Sequence, residues 1–152
     1  MIPTFQMGII GGIKSYSELI KLQSFSDRFL YLMLFGKVAD ETFGPDRHLN
    51  QSFYESSIWK KTKRDVILRD NGCNLGVPGY DINSAIYVHH IDPITVEDII
   101  CKTDKLLNPD NLISTNLQTH NAIHYGNKDF LKTYDWQPRT QNDLFPWRET
   151  HE

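Results

Sequence analysis

Thiol chemistry has little material in this 152-residue chain: cysteine occurs twice, at Cys73 and Cys101, 28 residues apart and never as Cys-x-x-Cys. That excludes a disulfide framework and a thiolate zinc site, and it fits a reducing, cytoplasmic compartment. Long apolar runs are missing too. The opening, Met1-Ile2-Pro3 through Ile9-Ile10-Gly11-Gly12-Ile13, is short, broken by glycines and without an early basic region, so neither a signal peptide nor a membrane span is expected. There are no internal repeats and no low-complexity segments. An excess of positive charge is also lacking. The net charge of −3 argues mildly against a nucleic-acid binder. What is present is globular in proportion: hydrophobic residues at 39% and aromatics at 12% are enough for one compact domain with a real core.

The charge is unevenly spread. Residues 51–72 carry five basic and three acidic groups, whereas residues 73–126 carry two and six. The basic groups cluster at Lys60, Lys61, Lys63 and Arg64, which read either as a solvated helix face or as a surface for DNA phosphates. The acidic excess lies in the segment with most of the histidines, where a bound divalent cation would offset part of it.

Residues 1–72 read as a helical N-terminal segment packed on the core. Ser15 or Ser17 caps a helix to Gln23, and Ser26-Asp27-Arg28 opens a second through Phe29, Leu30, Leu32, Met33 and Phe35, ended by Gly36. Gly44-Pro45-Asp46 is a loop. A longer helix over 52–70 points Ile58, Trp59, Val66 and Ile67 inward and its lysines outward, and Asn71-Gly72 stops it. Residues 73–126 read as strand, long loop, strand and helix. Ile86 to Ile91 is β-branched and aromatic, hence a strand. Thr95 to Ile100 is a helical turn or part of a long excursion. Asn108-Pro109-Asp110-Asn111 turns into a second strand at Leu112-Ile113. Ser114 or Thr115 then caps a helix ended by Gly126. Residues 127–152, with Pro138 and Phe145-Pro146-Trp147, read as an extended tail whose aromatics pack back on the core.

Four of the six histidines fall into one pattern: His89-His90, then His120 and His124, with Asn111 between. His120 and His124 are four apart, so a helix projects both from one face. Two imidazoles from one helical turn and a third from a strand can close round a divalent cation. Adjacent strand residues point to opposite faces. One of His89 and His90 can therefore bind metal while the other faces substrate only if the strand end is twisted or turned, and Asp92-Pro93 supplies such a turn. The pattern points to metal-dependent hydrolysis.

Three stretches carry a family resemblance: Val88-His89-His90-Ile91-Asp92-Pro93, Asp110-Asn111-Leu112-Ile113, and Thr119-His120-Asn121-Ala122-Ile123-His124-Tyr125-Gly126. In them the chain resembles the HNH endonucleases, and most of all the HNH proteins of tailed phages and prophages. Glu41-Thr42-Phe43-Gly44, Ile67 to Cys73 and Pro146-Trp147 extend the likeness over most of the chain from Ser15. The spacing of nine residues from Asn111 to His120 and thirteen to His124 is similar to that of colicin-type nucleases. The resemblance implies an α+β fold with a ββα-metal core at 73–126. It implies His89, His120 and His124 as metal ligands, His90 as general base, and Asn111 as the catalytic-set asparagine that braces the loop between the strands. Many relatives carry Cys-x-x-Cys knuckles. Here the helix equivalents are Asn116 and Thr119, and Cys73 stands alone, so no structural zinc is expected. The 20 residues between His90 and Asn111 form a longer loop than in compact members.

The chemistry implied is phosphodiester hydrolysis, with neutral His90 deprotonating a water. One divalent ion (magnesium, manganese, nickel or zinc) would act as Lewis acid and template. The expected protein is a phage- or prophage-type DNA endonuclease in the host cytoplasm, a monomer or homodimer. A single site cuts one strand, which makes it a nickase. Genome packaging is the implied role and terminase proteins the implied partners besides DNA. A non-catalytic, metal-stabilised DNA-binding or packaging-accessory module is the alternative, against which the intact His90 argues. A toxin-like nuclease is a third class, disfavoured by the acidic balance.

Overall fold

A computed structural model describes residues 13–34 and 47–131. The loop at Gly44-Pro45-Asp46, the stop at Gly36, the Glu41–Gly44 and Pro146-Trp147 likenesses and the aromatic tail fall outside those residues.

The chain is α+β. Helix α1 (Tyr16–Leu19) starts where the Ser15 side chain accepts from Glu18 N, and α2 (Phe25–Leu32) where Ser24 accepts from Asp27 N. The α2 cap is therefore Ser24 rather than Ser26, and α1 stops short of Gln23. The helix expected over 52–70 is two helices, α3 (Arg47–Glu55) and α4 (Ser57–Arg69). They part at Ser56, whose extended backbone and side chain, accepting from Trp59 N, restart the helix. Trp59 and Val66 turn inward as expected, but Ile58 is 58% exposed. Left-handed Asn71 and Gly72 end this stretch.

Strands β1 (Tyr87–His90) and β2 (Leu112–Thr115) form an antiparallel pair, with His89 opposite Ile113 and His90 opposite Leu112. Between them α5 (Val96–Cys101) carries a reciprocal cap between Thr95 and Asp98. Helix α6 (Leu117–Tyr125) follows β2. Its cap is Asn116, not Ser114 or Thr115, which are spent in the strand. Gly126 ends it in the left-handed region, pressed so close to Leu34 that a Cβ would lie 2.5 Å from that carbonyl oxygen.

Alternation along the strands gives this small sheet two different faces. On one, Ile113 joins Leu19, Phe29 and Leu32 of the N-terminal helices, Leu75, and Ala122 and Ile123 of α6 in the main core. On the other, Leu112 packs with Trp59 and Val66, flanked by Phe53, Val88 and Leu107. Buried polar groups tie these layers. Asp70 accepts from Ser114 N at 2.8 Å and pairs with Arg69 at 2.8 Å. Asn74 Nδ2 donates to Thr119 Oγ1 at 2.7 Å, and Thr119 N donates to Asn116 Oδ1 at 2.8 Å. Cys73 Sγ lies 3.5 Å from Asn71 O and 3.6 Å from Asp81 Oδ1. No helix among the described residues is long and apolar enough to cross a membrane.

Candidate metal centre

The two faces of β1 separate its histidines. His89 shares the side of Ile113 and meets α6, where its ring stands edge-on to His120 at 5.4 Å and to His124 at 4.9 Å between centroids. One ring nitrogen from each of the three lies within 4.8 Å of the others. Nε2 of His120 and Nε2 of His124 are 3.1 Å apart. A tetrahedral ion with Zn–N bonds of 2.0–2.1 Å has ligand atoms about 3.3 Å apart, so the helical pair already stands at ligand spacing. His89 Nε2 is buried with no hydrogen-bond partner among the described residues, a cost that a structure ordinarily avoids. Among the described residues the donor set is all imidazole, without thiolate or carboxylate. It fits a divalent ion of the zinc, nickel, cobalt or copper type by intrinsic affinity and leaves further coordination positions open. His89, His120 and His124 could therefore hold a metal ion.

Burial keeps these rings neutral, the form that binds metal. It pushes His89 well below its ordinary value, and charge on His120, His124 or His90 would add to that. It lowers His120 to about 4, with His124 acting the same way and an Asn121 hydrogen bond opposing. His124 is lowered by burial alone.

His90 faces the other side. Its ring stacks on Trp59 at 5.2 Å and 19°, and its Nε2 lies 3.0 Å from Leu106 O. A carbonyl can only accept, so in neutral His90 the proton sits on Nε2 and Nδ1 keeps a free lone pair. Burial, then the nearby Lys105 charge, lower its pKa to about 4, against the opposing Leu106 bond and Asp98. A cleft of about 50 Å³ at the end of β1 is nevertheless lined by both strand histidines, with Tyr54, Val88, Pro93, Ile94, His120 and His124.

Asn111 does not line that cleft. Its Oδ1 accepts from Asp92 N at 2.7 Å, and its Nδ2 donates to Asp92 O and Lys105 O, both at 3.1 Å. It braces the turn after β1 and the approach to Leu106, and so positions His90 rather than touching the cleft. Asp92 also stands outside the metal cluster, paired with Lys105 at 3.2 Å. Lys60, Lys61 and Arg64 are exposed on α4 and Lys63 half-buried, with Lys61 paired to Asp65 at 3.0 Å. The sequence reading missed the aromatic wall of Tyr54 and Trp59 beside His90. The signal was Ser56-Ser57, a helix start set between two aromatic positions.

No protein-family model, no curated protein and no solved structure matches the chain.

Proposed function

We propose that this protein is a divalent-metal-dependent HNH endonuclease that hydrolyses DNA phosphodiester bonds. β1, β2 and α6 would be its ββα-metal core. The observation that carries the reading is the trio His89, His120 and His124 beside His90, whose tautomer is fixed by Leu106 O and whose ring shares the same cleft. A purely structural ion has no use for a neutral imidazole held with one free lone pair next to it. The electrostatics agree. The cleft lining has no carboxylate among the described residues, so three neutral ligands would leave an ion its full double charge for an anionic substrate.

Bound there, the ion would supply Lewis-acid polarisation and charge neutralisation at the phosphate. His90 Nδ1 takes the proton of a water that attacks phosphorus, and Nε2–H stays on Leu106 O while the ring becomes charged. Trp59 holds the imidazole plane, and Asn111 holds the backbone that carries its hydrogen-bond partner. The 3′ oxygen departs and takes a proton from solvent, and His90 returns its proton to solvent, which leaves 5′-phosphate and 3′-hydroxyl ends. One site cuts one strand, so a single copy nicks. The phage-type origin, a role in packaging and terminase as partner belong to this proposal through the family resemblance. Supercoiled plasmid incubated with protein and magnesium, manganese, nickel or zinc should become open-circular DNA that ligase reseals, and chelation should stop the reaction. Metal bound stoichiometrically with plasmid untouched would instead favour the accessory module.

A further inference from the structure

Among the described residues, Tyr54 is the one polar residue in the cleft lining that is not a histidine. It stands on the last turn of α3, at a corner that fixes its direction. Ser56 Oγ donates to Phe53 O at 2.6 Å and Ser56 N to the same carbonyl at 3.1 Å. Trp59 N donates to Ser56 Oγ at 3.3 Å. The Tyr54 ring stands edge-on to Trp59 at 5.3 Å and 76°, and 6.3 Å from the His90 ring. The residue is 38% exposed and is part of the cleft lining.

The other side-chain donors of the lining are spent or out of reach, because Nδ1 of His120 and of His124 is buried. His90 Nε2–H is spent on Leu106 O, and the three remaining imidazoles form the metal cluster. A phosphodiester seated there presents two non-bridging oxygens, of which an ion engages one readily. The second needs a neutral or positive donor, and no lysine or arginine lines the cleft among the described residues. Resting on the nuclease reading, we infer that Tyr54 is a substrate-binding residue whose hydroxyl donates a hydrogen bond to a non-bridging oxygen of the phosphate in this cleft. Burial pushes the phenol up to about 12, so the group remains a donor at any working pH.

The test is Tyr54→Phe, which keeps the ring against Trp59 and removes only the hydroxyl. Two readouts separate this inference from the nuclease reading: plasmid nicking, and binding of a short labelled duplex by metal-loaded His90→Ala protein with and without Tyr54→Phe. A donor to a charged acceptor is worth about tenfold or more, so duplex affinity should fall by roughly that factor. Nicking should fall at least as much, while metal stoichiometry and melting temperature stay unchanged. Normal nicking and normal binding by the Tyr54→Phe proteins would overturn the Tyr54 assignment and leave the nuclease standing. If wild type does not nick but the duplex still binds about tenfold more weakly without the hydroxyl, the nuclease reading fails and the phosphate contact survives. Absence of both nicking and a binding difference would remove both.

Discussion

Lowering the pH from 7.5 to 5 in the metal-free protein should remove a large part of its stability, for a reason set by the buried histidines. His90 and His120 titrate at about 4 in the fold against an ordinary 6.5. Between those values the unfolded chain binds more protons than the folded one, so stability is full above pH 6.5 and drains away as the pH falls toward 4. At pH 5 the linkage costs about 2 kcal/mol for each of the two rings, about 4 kcal/mol together. His89 and His124, lowered by the same burial, act in the same direction. Against a typical stability of about 5–15 kcal/mol this is a large fraction. Urea denaturation of chelator-treated protein across that range reads it directly. With an m-value of about 2 kcal/mol/M the midpoint should drop by about 2 M. His120→Gln should flatten that dependence by removing one of the titrating rings. A midpoint that moves by less than about 0.5 M would refute the claim that these imidazoles are held neutral by burial.

Gly126→Ala should be among the costly substitutions outside the site. A Cβ would meet Leu34 O at 2.5 Å from a backbone with φ of +60°, so a loss of about 1–3 kcal/mol is expected in thermal melts. Replacing Lys60, Lys61, Lys63 and Arg64 together by alanine should weaken DNA binding and lower its salt slope by about 0.9 for each phosphate no longer neutralised. Binding and salt dependence that do not change would remove α4 as a DNA surface, and Lys61, paired with Asp65, is the member expected to matter least.

The parts of the site that sequence revealed are those fixed by local geometry. His120 and His124 sit one helical turn apart whatever surrounds them, and the β-branched run before His89 and His90 is a strand by its own propensity. Gly126 as a helix stop and Asn111 at a turn follow in the same way. Harder were choices among residues with equal local chemistry. Ser24 and Ser26 are both good caps, as are Ser114, Thr115 and Asn116, and packing decides: Thr115 is held in the ladder opposite Tyr87 while Asn116 reaches Thr119 N. The break at Ser56 was hidden because the residues on both sides are helical, and a single helix over 52–70 gives no reason to set Tyr54 beside Trp59. Only the tertiary fold brings that corner against His90. The partner of His90, Leu106 O, is a backbone atom 16 residues away that no side-chain pattern announces.

The most direct test of a metal-dependent nuclease with His90 as its base is plasmid nicking by wild type beside His90→Ala, each first assayed for bound metal. Equal metal content is expected, because His90 is outside the trio, together with nicking by the wild type alone. An alanine variant that nicks as fast as wild type, at equal metal loading, would remove His90 from the chemistry.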